Sequence, residues 1–274
     1  MGRMAPEVLM AELNLMWQDI FTWVSWSIVV LMLIIARRKG IREKTPFYMI
    51  ACLAVGIGAF MEPLYDVAFD LWFFDVHNGQ PGAMYSHFTA FGVVQPYWSH
   101  SGYIILYATA CLYAGKMLYE GRVSAPLFAL FWIAEIFASC VFEVVGTGVG
   151  VYTYYGPYVL RIWNYPLVIG VLEGTQTILF AVVAVAWWRR VSTPLGLAGL
   201  FLLFPITMLG TNFGLGGPVI IAMHLAEPLF STPVIWIATI LSIAFCALAI
   251  RGAYGFLNGP APVAVRGRVS AAQF

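Results

Sequence analysis

The sequence predicts an all-α integral membrane protein, a bundle of seven transmembrane helices with its N-terminus outside and its C-terminus in the cytoplasm. Three observations carry this. The 274 residues are 61% hydrophobic and 10% charged, against about 25% charged residues in soluble domains. Seven apolar runs have about the 17 to 25 residues that a helix needs to cross the hydrocarbon. Basic residues collect on alternate junctions between those runs, which marks these junctions as cytoplasmic by the positive-inside bias.

The elements follow in order. Residues 1–16 carry Glu7 and Glu12 without a basic n-region or an evident small-residue cleavage site. They read as an interfacial lead-in, not a cleaved signal peptide. The first helix, 17–36, holds Asp19 and ends on Arg37, Arg38, Lys39, Arg42 and Lys44. The second, 47–68, carries Glu62 and Asp66, which share a face if the helix persists past Pro63. Pro63 could instead kink or end it, freeing backbone groups that need polar partners. An aromatic outer connection, 69–97, contains Trp72 and leads to the third helix, 98–118, which opens on His100 and is followed by Lys116 and Arg122.

The fourth helix, 127–145, carries Glu135 and Glu143. A second aromatic outer connection, 146–164, holds Tyr154, Arg161, Trp163 and Asn164. The fifth helix, 165–188, carries Glu173 and Gln176 and ends on Arg189 and Arg190. The sixth, 195–213, carries Asn212, and the seventh, 233–250, is followed by Arg251, Arg266 and Arg268. Residues 1–258 thus form one transmembrane domain, and 259–274 read as a short disordered cytoplasmic tail. The expected place is the cell membrane, spanned several times, with the lipid bilayer as first partner.

Composition excludes several classes. A formal net charge of +1 makes no case for nucleic acid. Cys52, Cys111, Cys140 and Cys246 fall inside apolar runs without ligand spacing, so they read as small buried hydrophobes. The histidines lack the clustering of a di-iron site, so neither a metal nor another cofactor is expected. No magnesium-diphosphate D-D-x-x-D cluster appears, which argues against prenyl transfer and ionisation-initiated terpene synthesis. The only lysines, Lys39, Lys44 and Lys116, leave the seventh helix without a retinal Schiff base.

The carboxylates point to function. Each acid at mid-helix costs roughly 2.5 to 3.5 kcal/mol on insertion, so one without a cation is a functional candidate by default. Asp70, Asp75 and Glu227 read as solvated or interfacial, and Glu135 reads either as a helix-locking pair or as part of a site. Glu62, Glu143 and Glu173, with Asp66, are the acids that topology leaves unexplained. Crowded into a low-dielectric pocket they cannot all ionise, and an acid kept protonated at neutral pH is a general acid. In an oily, aromatic cavity such an acid would protonate an isoprenoid double bond or epoxide, with the cation stabilised by ring faces and a carboxylate. Asp19, Trp72, His100, Tyr154, Trp163, Asn164 and Asn212 are the expected substrate-binding residues.

Two resemblances add to this reading. Phe142-Glu143-Val144-Val145-Gly146-Thr147-Gly148-Val149-Gly150-Val151-Tyr152-Thr153-Tyr154-Tyr155-Gly156-Pro157, followed by Trp163-Asn164-Tyr165-Pro166-Leu167, resembles the membrane carotenoid-biosynthesis proteins of the bacterioruberin hydratase type. Size, helix count and acid placement resemble the seven-helix membrane terpene cyclases of meroterpenoid pathways. Both imply acid-initiated chemistry on a lipophilic isoprenoid, with Glu143 carried over from the first motif and Glu62 by analogy of position. The sequence thus points first to a cyclase, then to a hydratase or isomerase on the same site. A proton-coupled transporter is the rival from another class, and a partner-binding subunit is a third reading. Oligomeric state is not legible.

Overall fold

Long apolar runs form helices here because a backbone in hydrocarbon must satisfy its polar groups within the segment. The computed structural model, which describes residues 4–191 and 193–258, is mostly helical. Among the described residues, six helices are long and apolar enough to cross a membrane: Leu15–Glu43, Phe47–Ala68, Ala125–Gly148, Leu167–Trp188, Leu195–Leu215 and Thr232–Leu257. The third expected span is an unbroken helix of 23 residues, Tyr97–Tyr119. Ser99, His100, Ser101, Tyr103 and Tyr107 dilute its hydropathy, and all five are buried. The expected tail, 259–274, lies outside the described residues.

In chain order the helices are α1 (Pro6–Leu9), α2 (Leu15–Glu43), α3 (Phe47–Gly58), α4 (Glu62–Ala68), α5 (Tyr97–Tyr119), α6 (Ala125–Gly148), α7 (Leu167–Trp188), α8 (Leu200–Leu209), α9 (Gly217–Met223) and α10 (Thr232–Asn258). Helix α2 starts where the Asn14 side chain accepts from the Trp17 amide at 3.4 Å, and it ends at Lys44 in the left-handed region, φ 52°. Such caps satisfy end groups that the helix leaves unpaired. Helix α7 is apolar over most of its surface, interrupted by Glu173, Thr175, Gln176 and Thr177, and is buried along most of its length. It packs against α5, α6, α8 and α10 and forms the axis of the bundle.

Pro63 neither breaks the second span nor sits inside a regular helix. A 3₁₀ turn, Ala59–Met61, joins α3 to α4, so Pro63 falls in the first turn of α4, where its missing N–H is not needed. Glu62 and Asp66 therefore do share a face.

The outer connections are not plain loops: short two-stranded pairs join the all-α bundle there. Strand β1 (Leu71–Phe73) of the first pairs antiparallel with β6 (Tyr152–Tyr154) of the second, Leu71 opposite Tyr154 and Phe73 opposite Tyr152. Side chains alternate along a strand, so Leu71, Phe73, Tyr152 and Tyr154 turn inward together and are buried. Three small hairpins accompany this roof: β2 (Val76–His77) with β3 (Gln80–Pro81), β4 (Ser86–Ala90) with β5 (Val93–Pro96), and β7 (Arg161–Ile162) with β8 (Tyr165–Pro166). Asn78-Gly79 turns the first with both φ positive, 51° and 69°, as a two-residue hairpin turn requires.

Candidate functional site

Beneath that roof, Glu62 from α4, Glu143 from α6 and Glu173 from α7 line one cavity. Tyr65, Tyr103, Tyr107, Tyr152, Tyr154, Trp98, Phe73 and Phe142 form most of its wall. A water-sized sphere finds about 30 Å³ of room, enough for about two or three waters, since one site takes roughly 10–15 Å³ by that measure.

All three acids are buried, at 6%, 6% and 4% exposure for Glu62, Glu143 and Glu173. Their partners are hydroxyls. Tyr103 donates to Glu62. The Tyr154 hydroxyl donates to Glu143 Oε2 at 3.1 Å. Glu173 receives three donors: Tyr65 at 3.2 Å, Tyr165 at 3.5 Å and Ser139. Among the described residues the ion pairs involve Glu12, Glu43, Glu120 and Asp70, and none reaches the cavity acids. Arg161, the cation nearest in sequence to the roof, gives its guanidinium to the carbonyls of Tyr154, Gly156 and Asn164 instead. Three carboxyls sharing an apolar cavity without a cation cannot all be ionised. In the roof, burial and then the nearby Glu143 push the Tyr154 phenol above its ordinary value, which keeps it a donor.

Asp66 stands behind Glu62. It is fully buried, accepts from Gln95 Nε2 at 2.6 Å and is hydrogen-bonded to the Glu62 carboxyl. Two carboxyls meet this way only with a proton between them.

Of the expected substrate-binding residues, Tyr154 faces the acids. Trp72 lies on the opposite face of β1 and lines an outer pocket. His100 is buried against Phe60 and His87, ring centroids 4.5 Å from each, and is not part of the cavity lining. Asp19 is on the exposed side of α2; its neighbour Gln18 is the buried polar group, tied to Ala83 and Tyr85. Trp163 is 76% exposed, and Asn164 is exposed with its carbonyl serving Arg161. Asn212 is fully buried in the π-helical turn Gly210–Leu215, donating to Met208 O at 3.1 Å.

The other acids sort differently from expectation in one case. Asp75 caps the β2–β3 hairpin through the amides of Gly82 and Met84, and Glu227 is exposed. Asp70, expected at the solvated interface, is 3% exposed and stands 3.5 Å from His224 Nε2, because the chain turns there with φ +50° and tucks it under the second connection. Glu135 takes the Tyr113 hydroxyl at 2.7 Å, pairing α6 to α5.

Apart from Tyr154, sequence reasoning missed the hydroxyl donors, Tyr65, Tyr103, Ser139 and Tyr165. A signal existed: Ser99, Tyr103 and Tyr107 recur every fourth residue on α5, Tyr65 lies three beyond Glu62, and Ser139 lies four before Glu143. Side chains three or four apart share a helix face. No family model, curated protein or solved structure matches this chain. The functional case therefore stands on the cavity and its chemistry.

Proposed function

We propose that this chain is a multi-pass cell-membrane enzyme of the isoprenoid cyclase type, spanning the bilayer seven times with α5 as the third span, its N-terminus outside and its C-terminus cytoplasmic. The observation that carries the proposal is the trio Glu62, Glu143 and Glu173 around one aromatic cavity, held by hydroxyls and, among the described residues, reached by no cation.

The roles follow from the partners. Glu173, with three hydroxyl donors, is the best place for the negative charge, because donors stabilise a carboxylate. It serves as counter-ion to a cation or as the base that ends the reaction. Glu62, bonded to a second carboxyl, holds a proton and is the first candidate to donate it, with Glu143 the second. The faces of Trp98, Tyr107 and Phe142 supply cation-π stabilisation. No cofactor is needed for a proton-initiated cyclisation.

Room for about two or three waters is less than an isoprene unit occupies, so the wall must open. Phe142 also lines an apolar groove of about 200 Å³ on the lipid side, with Ile20, Phe21, Val24, Ser25, Ile28 and Ile105. A prenyl chain lying there reaches the acids when the Phe142 ring swings aside.

Hydration is the second reading, favoured by the space for water beside the acids: captured by water, the same cation yields an alcohol. Lipid extracts from cells with and without the protein separate the outcomes. Cyclisation changes retention without changing mass, and hydration adds one water. An unaltered lipid profile would sink both, leaving a proton-coupled carrier and a partner-binding subunit as the surviving classes.

A further inference from the structure

A second, larger pocket of about 330 Å³ lies on the outer side of the acids. Asp66, Asp70 and His224 are among its lining residues, and none of the three lines the inner cavity. Leu71 lines both spaces, so it forms part of the partition between them. The other part is the hydrogen-bonded pair Asp66 and Glu62, the first facing the outer pocket and the second the inner cavity. An aliphatic side chain passes no proton, whereas two carboxyls sharing one do.

Asp66 is built for transfer. It is fully buried, its Oδ2 is fixed by Gln95, and its Oδ1 meets no hydroxyl, amide or cation. The other titratable groups around the pair divide cleanly. Tyr103, Glu143 and Glu173 sit on the inner side with Glu62, and Asp70 with His224 sits on the outer side.

We propose that Asp66 is a proton-transfer residue that recharges Glu62 from the outer pocket. When Glu62 has given up the shared proton, the Asp66 carboxylate takes a proton that hydronium delivers through outer-pocket water and passes it across the hydrogen bond to Glu62. One proton enters, Glu62 is again protonated, and no other bond changes. The use of that proton on an isoprenoid rests on the function proposed above; the transfer itself does not.

The test is infrared spectroscopy of the full chain in detergent, moved from H₂O to D₂O without substrate. The protonated carboxyl band of Glu62 is assigned by its loss in Glu62→Gln, and a Glu62→Gln spectrum that loses no such band overturns the proposal. In the wild type the band shifts quickly; in Asp66→Asn the shift slows by at least about tenfold, and in Asp66→Glu it stays fast. Wild-type exchange in a folded Asp66→Asn overturns the proposal. Should that variant not fold, Val67→Trp fills the outer pocket from a 46%-exposed position. Slower exchange there supports the relay, and unchanged exchange overturns it. Slow exchange in Asp66→Asn with an unaltered cellular lipid profile would keep the relay and remove the isoprenoid reading; fast exchange with altered lipids would do the reverse.

Discussion

Gly146→Ala tests whether the roof is pressed onto the helix that carries Glu143. Gly146 lies in the last turn of α6, and a Cβ there would stand 2.3 Å from Tyr152 Cε1 and 2.4 Å from its hydroxyl oxygen. Ordinary contact begins near 3.4 Å, so the ring must withdraw by about 1 Å. It has little room, being 1% exposed with the rings of Trp98 at 5.5 Å, Phe73 at 5.7 Å and Tyr154 at 6.4 Å. Overpacking of this kind costs about 1–3 kcal/mol, and Ala for Gly within a helix returns roughly 0.5–1 kcal/mol. A net loss centred on about 1 kcal/mol and reaching at most about 2.5 kcal/mol remains, roughly a fivefold fall in the folded-to-unfolded ratio at the centre. Tryptophan fluorescence during unfolding in mixed micelles measures it. Gly252→Ala is the control, since a Cβ in α10 there meets nothing within 4 Å and the helix should gain slightly. A Gly146→Ala variant as stable as Gly252→Ala would refute the wedged roof.

Phe142→Ala should join the lipid-side groove to the acid cavity, raising labelling of Glu62, Glu143 and Glu173 by a lipid-soluble carbodiimide several-fold in peptide mass spectra; unchanged labelling would remove Phe142 as the wall. At high pH the roof should fail as its tyrosines ionise. Burial pushes the phenols of Tyr152, Tyr154 and Tyr158 above 10.0, so their stabilisation is complete below that pH and declines as pH rises toward the folded-state values. Tyrosinate absorbance at alkaline pH should then appear together with unfolding, and its appearance in a folded protein would contradict the burial. Single cysteines at Glu7 and Arg190, in a background lacking the four native ones, should react with an impermeant maleimide from opposite sides of the membrane; labelling from the same side would reverse the seven-span topology.

Much of this was legible because a bilayer leaves few options. The apolar runs found the helices, and the uncompensated acids found the cavity, since burial of Glu62, Glu143 and Glu173 without cations needs a common explanation. The roof was less legible. Leu71 and Phe73 meet Tyr154 and Tyr152 across about 80 residues of sequence, and no local pattern announces such a pairing; the Asn78-Gly79 turn beside it is a local signal that the reading of 69–97 as one aromatic connection passed over. Trp163 and Asn164 were chosen from the aromatic run that precedes Glu173 and Asp19 as a polar group on another helix, whereas the direction of a side chain follows from helix phase and strand alternation. By phase, Gln18 faces inward and Asp19 does not. Asp70 defeated the interfacial expectation because a turn, which hydropathy does not register, folds it under the second connection.

Conversion of a prenylated lipid by Glu62→Gln and Glu143→Gln, at matched protein level, tests the central claim most directly. Replacing the proton donor with an amide of the same shape should cost at least about a hundredfold in rate, the contribution of a positioned general acid. Mass spectrometry of lipid extracts reads it. The account predicts that the wild-type product, unchanged in mass or heavier by one water, is lost in at least one of the two variants. Wild-type amounts of product in both would contradict it.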